Sequence, residues 1–340
     1  MHHCWRQMAP QHAVAHPYFM HEILAFAALH KAHTLPEQRS QYYDYGVHHQ
    51  DLSIRGVREQ LRNITAEEGP ALFATSTLLT LSVFASTGYE LNYPEIPASQ
   101  NAIDGILNIF ILMQGMGNVL AVSHEHVAQS FLAPILQDAP EAIPSQPMLD
   151  EVLTRLPPLT MFIQSKADMP EREKTICLAA LAGMPPCLQL AQSPCTDNRE
   201  LRFLFFWPLH IQPDFFNLVR QRHSGALVAI MYYTTMLFAA QPRYWFMEGW
   251  GTQLMKACFE ELTPDWHPIV QWPMSFLAQN PMWSLFENFA KSRHGGSIPL
   301  SRQEPSVFPY SARKPAEIAR RTHSTTSPPS TYNTPSDRGV

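Results

Sequence analysis

Sixteen histidines and five cysteines are the residues of this 340-residue chain whose types could hold a metal or act as nucleophiles. Their spacing argues against both. His12 and His16 stand four apart and His30 and His33 three apart, yet neither pair has a cysteine or carboxylate partner at ligand spacing. His21-Glu22 lacks the second histidine of a zinc-protease helix. Cys4, Cys177, Cys187, Cys195 and Cys258 include no Cys-x-x-Cys pair, and an odd, scattered set reads as reduced thiols without a disulfide framework. Pro186-Cys187 and Pro194-Cys195 each offer half of a deaminase motif, without its second cysteine or its His-x-Glu partner. Gly115-x-Gly117 is followed by Leu120 where a dinucleotide loop places glycine. With no nucleophile elbow, phosphate-binding loop or carboxylate pair either, the reading is a protein without catalytic residues, metal or cofactor, and not an enzyme.

The elements that carry these residues read as helices. Residues 225–240 hold no charge and are apolar on every face, so the helix they form must be buried. It is shorter than the roughly 20 apolar residues a bilayer crossing wants. In residues 244–262 the stripe Met247, Trp250, Leu254, Cys258 and Leu262 faces away from Glu248, Thr252, Lys256 and Glu260, which predicts an amphipathic helix packed from outside. Upstream, Thr34-x-x-Glu37 and Thr65-x-x-Glu68 have the form of capping boxes. The second opens a buried helix ended by Gly88, and Ser99 is placed to cap the next one. Prolines from 134 to 194 predict short helices and long connections, and Phe203 to Pro208 reads as a core helix or turn. The fold expected is all-α around the 225–240 helix, with no sheet of consequence.

Composition sets the domain plan. The chain is 45% apolar and 16% charged, enough for a large core, and its net charge of −5 gives no basic surface for nucleic acid. Residues 1–291 hold 17 basic and 26 acidic side chains, against 7 and 3 in residues 292–340. The plan expected is a flexible lead-in over 1–15, a helical domain over 16–291 and a disordered Ser/Thr/Pro/Arg-rich tail over 292–340. Two uncharged stretches, 71–89 and 105–123, raise the question of a membrane. Seven Ser or Thr in the first, with two Asn and a Gln in the second, favour the core of a soluble helical domain, so no membrane span is expected.

The order of signals in residues 213–273 resembles the C-terminal regulatory region of fungal zinc-cluster transcription factors. Those signals are the buried Ala226-Leu227-Val228-Ala229-Ile230-Met231 helix, the run Tyr244 to Gly251, an amphipathic helix, Trp266 and a closing Gln271-Trp272-Pro273. The sterol uptake control branch is the most similar. His16 to His30 resembles the family's opening helix and residues 71–86 its second buried helix, while Gln114 departs from the usual arginine. The six-cysteine zinc cluster that reads DNA is missing from this chain.

That resemblance implies a transcription regulator of RNA polymerase II genes, located in nucleus and cytoplasm, with no direct nucleic-acid binding by this chain. It also implies a sterol or other apolar small molecule as ligand and a homo- or heterodimer with another regulator. Gly249 and Gly251, each costing about 1 kcal/mol against alanine in a helix, suggest a close approach to the backbone there. Helix packing explains that approach; so does a ligand held by Tyr232, Met236, Trp245, Met247 and Trp250. The alternative function is a ligand-free helical interaction scaffold paired with a full-length regulator.

Overall fold

Helix α11 (Ser224–Ala240) lies at the centre because nothing on its surface can face water: from Gly225 to Ala240 only Phe238 escapes full burial. Its hydroxyls turn inward on the helix itself, Thr234 Oγ1 donating to Ile230 O at 2.7 Å and Thr235 Oγ1 to Tyr232 O at 2.7 Å, so burial leaves neither unsatisfied. A computed structural model describes residues 4–62, 65, 68–133, 136, 147–192 and 199–278. The expected tail over 292–340 lies outside the described residues, as does Cys195.

Every regular element among the described residues is helical, as the periodicity predicts. In chain order they are α1 (Ala9–Ala13), α2 (Pro17–Thr34), α3 (Arg39–Gln60), α4 (Glu68–Asn92), α5 (Ala102–Ala128), α6 (Pro147–Ser165), α7 (Glu171–Ala182), α8 (Met184–Gln192), α9 (Arg199–His210), α10 (Pro213–Arg220), α11, α12 (Trp250–Glu260) and α13 (Gln271–Met274). The antiparallel pair α2–α3 packs on α4, α4 packs along α5, and α12 closes over α11 from outside. Helix α9 joins α11 to α5 and α8. Within the expected lead-in, residues 4–13 form helical turns that bury Cys4, Ala9 and Ala13.

Several boundaries differ from the sequence reading, each for a tertiary reason. Gly88 does not end α4, which runs on to Asn92; a Cβ at Gly88 would stand 3.1 Å from Trp250 Nε1, so this glycine makes room for an indole. The cap of α5 is Asn101, whose Oδ1 accepts from Asp104 N at 2.9 Å, while Ser99 turns back to Glu90 through its backbone N–H at 3.0 Å. Thr34 closes α2 by donating to His30 O and starts nothing, whereas Thr65 accepts from Glu68 N at 3.3 Å and makes half of its expected box. Pro157 and Pro158 lie inside α6, where buried Leu156, Leu159 and Ile163 hold the helix on the core through the interruption. The 203–208 run is a core segment of α9, with Trp207 buried and its Nε1 donating to Ala180 O at 2.9 Å.

Candidate functional site

The five residues expected to hold a ligand do not converge on one space: Tyr232, Trp245 and Trp250 face three different neighbours. Tyr232 donates its hydroxyl to Ile269 O at 3.1 Å and lays its ring 5.5 Å from that of Trp272. Met236 is fully buried one turn on. Trp245 and Met247 lie in a 3-10 turn (Trp245–Met247). Met247 enters the core, whereas Trp245 is half-buried against Phe26, His30 and His33 of α2, with ring centres 5.2, 5.1 and 5.7 Å away. Trp250 points the other way, into α4, where its Nε1 donates to Phe84 O at 2.8 Å. The stripe predicted for α12 is therefore real, since Met247, Trp250, Leu254, Cys258 and Leu262 are all buried.

Helix packing accounts for both glycines of this turn. Gly249 has φ +77°, a left-handed conformation that suits glycine, and a Cβ there would collide with the Asn92 amide at 2.3 Å. At Gly251 a Cβ would meet the Phe238 ring at 2.9 Å. A cleft of about 560 Å³ does open nearby, lined by Glu90, Ser99, Gln100, Gln253, Lys256 and Glu260 among others. Its lining mixes these polar side chains with Leu91, Ala98, Ala102 and Ala257, and none of the five expected residues lines it.

Two features carry more than the sequence reading drew from them. The first is Glu22 on α2, fully buried among helices, its Oε1 accepting a bond from Ser82 Oγ at 2.5 Å. Burial pushes its carboxyl up to about 7, with the Ser82 and Ser53 hydroxyls pulling the other way. A single acid inside the apolar run of residues 18–29 was the available signal.

The second feature is α5. Its inward stripe, including Ile106, Phe110, Met113 and Leu120, is buried. Its outward stripe, Ile111, Gly115, Asn118 and Val122 at helical spacing, has no ionisable group, and Ile111 is 43% and Val122 69% exposed. From residue 105 to residue 124 the helix contains no Asp, Glu, Lys or Arg. It is thus apolar towards the core and uncharged towards the outside, an arrangement that calls for a cover.

Helices α4 and α5 and the run Glu171–Gln192 are long and apolar enough, by length and composition, to cross a membrane. This corrects the expectation of a chain with no membrane span. Stretches 71–89 and 105–123, assigned to a soluble core on their hydroxyl and amide content, lie in α4 and α5, and polar groups that bond back to their own helix do not bar it from hydrocarbon. The three differ in surroundings: the apolar window of α4 is 94% buried within the protein, that of α5 50% and that of Glu171–Gln192 39%.

Comparison of the chain with protein-family models, with curated proteins and with solved structures finds no match. The resemblance to zinc-cluster transcription factors is accordingly corrected. No family model supports it, the described residues hold no group of three or more His, Cys, Asp or Glu able to bind a metal, and three helices have the length and composition of membrane spans. With it fall the readings it implied: regulation of transcription, sterol sensing, a location in nucleus and cytoplasm, and pairing with a full-length regulator. The signals behind it, a fully apolar helix followed by an amphipathic one and tryptophans near turns, are general requirements of helix packing and occur here without the family.

Proposed function

We propose that the chain is a non-enzymatic helical protein of a membrane, held there by the outward stripe of α5. The observation that carries this reading is the 105–124 run, uncharged on every face of a helix only half of which is covered by protein. At 1.5 Å per residue that run is about 30 Å long, the thickness of a bilayer's hydrocarbon core. Lipid is favoured over a protein partner as the cover because Ile111, Gly115, Asn118 and Val122 offer neither a charge nor an aromatic anchor, the groups that dominate protein interfaces. Gly115 has open space around its α-carbon and adds to a smooth surface. A role without catalysis is the reading favoured by a sequence in which no nucleophile, base or metal set is readable.

The test is flotation of the full chain with vesicles of neutral phospholipid, followed by carbonate extraction, comparing wild type with Ile111→Asp/Val122→Asp. Both positions face outward, so the double variant should fold as the wild type does and lose most of its membrane-bound fraction. Wild-type protein that stays entirely with the aqueous fraction would end the proposal. A water-soluble dimer disrupted by the same two substitutions would end it too, and assign the stripe to contact between copies.

A further inference from the structure

Glu22 is placed where a carboxylate has no cation to meet. Arg55 is paired with Asp51 at the surface at 2.5 Å, His16 with Glu68 at 3.3 Å and His33 with Glu248 at 3.2 Å. Around the carboxyl, α3 contributes Gln50 and Ser53, and α4 contributes Ser82 and Ser86. Gln50 Nε2 donates to Ser82 Oγ at 2.9 Å, and Ser82 Oγ donates onward to Glu22 Oε1, so one oxygen of the acid is served by a chain of donors. The other is not. Oε2 is buried with no hydrogen-bond partner, and so is Ser53 Oγ, whose hydroxyl faces the same carboxyl without closing a bond.

The uncharged acid suits this place: Oε1 accepts from Ser82 on α4, Ser53 of α3 faces the same carboxyl, and one side chain of α2 meets both neighbouring helices. Removing the proton leaves a carboxylate in an apolar interior with no cation and only the Ser82 and Ser53 hydroxyls to turn to, fewer donors than a buried charge wants.

The remaining titratable neighbours on these helices are the His21–His49 pair, one step towards the surface. Their Nδ1 atoms lie 3.0 Å apart with ring centres 5.2 Å apart, so the rings meet edge to edge. One Nδ1–H donates to the other Nδ1, an arrangement that needs at least one neutral ring and that burial favours by lowering His49. At most one ring of the pair is therefore charged, and its hydrogen bond is to the other imidazole.

We propose that Glu22 is a proton-operated latch, which holds α2 on α3 and α4 while protonated and loosens α2 when it ionises. The sign follows from linkage. A carboxyl raised in the folded state stabilises fully below its unfolded value of 4.5, and that contribution is lost as pH rises through about 7. Release of α2 would uncover Phe19, Ala25 and Leu29, now fully buried, and do so without disturbing α11. This latch does not depend on the membrane reading.

Hydrogen exchange of the full chain between pH 5.5 and 8.5, corrected for the chemical exchange rate, tests it, with α11 as internal reference. Protection of α2 relative to α11 should fall by up to about tenfold per pH unit from pH 5.5 to about 7 and level off above that. In Glu22→Gln, which cannot ionise, it should be flat across the range. Ser82→Ala, which removes a donor to the ionised form, should move the midpoint to higher pH. Flat relative protection in the wild type would overturn the latch, and so would a fall in Glu22→Gln equal to that of the wild type. Should Glu22→Gln not fold, the wild-type profile and the direction of the Ser82→Ala shift decide.

Discussion

Trp250 Nε1 donates to Phe84 O across 166 residues of sequence, at 2.8 Å, and the two rings meet edge to face at 5.5 Å. This contact fixes the start of α12 against the middle of α4. The indole is fully buried, with Gly88 and Gly105 lying against it, where an added Cβ would stand 3.1 and 3.2 Å from its atoms. Trp250→Phe should cost about 2 kcal/mol, combining a lost hydrogen bond with unfilled volume. Urea denaturation measures it; a change within error would mean that the site collapses around the smaller ring.

Gly249 and Gly251 give a paired prediction with two different causes. Gly249→Ala meets both an unfavourable φ of +77° and the Asn92 side chain, and should destabilise by more than 1 kcal/mol, roughly the penalty for a non-glycine residue in a left-handed conformation. Gly251→Ala has ordinary helical backbone and meets only the Phe238 ring, which is partly exposed and able to turn, so its cost should be the smaller of the two. Thermal melts of the two variants side by side give the order. Equal melting temperatures would leave the left-handed turn without consequence for stability.

Charge placed on two faces of the helical body separates core from covering surface. Ile230→Asp puts an unpaired carboxylate at a position with no exposure in the centre of α11, and should unfold the domain or cost about 4 kcal/mol or more. Ile111→Asp on the outward stripe of α5 should leave detergent-solubilised protein within about 0.5 kcal/mol of wild type. Comparable losses from both would show that α5 is covered by the chain itself.

The described thiols should be unreactive in the folded protein. Cys4, Cys177, Cys187 and Cys258 are all buried, and burial holds the Cys258 thiol well above its ordinary value, so almost none is present as the nucleophilic thiolate at pH 8. Labelling with a disulfide reagent, followed by peptide mapping, should modify Cys258 only at the rate of unfolding. Fast labelling of Cys258 in native conditions would mean that α12 opens readily from α11.

The helices and much of the core were legible in the amino-acid order alone, because burial imposes periodicity. A run like 225–240 with no polar face has only one place in a folded protein, and the stripe from Met247 to Leu262 points one way whatever it packs on. Glycine at 249 likewise announces a special backbone. What the glycines accommodate was not legible: Asn92, Phe238 and Trp250 come from elsewhere in the chain, and a glycine beside a partner side chain looks in sequence like a glycine beside a ligand.

The sequence by itself determined an all-helical protein with an α11-like central element, since local pattern and the cost of burying charge are properties of each segment. Only the tertiary structure decided which apolar segments use up their surface inside. Helices α4 and α5 are alike in composition, yet α4 is wrapped on nearly every side while α5 leaves the stripe from Ile111 to Val122 outside. The ionisation of Glu22 was also set there, because a carboxyl titrates according to the donors and charges around it. Those are supplied by Ser53 and Ser82, on two other helices that the order of residues does not place beside it.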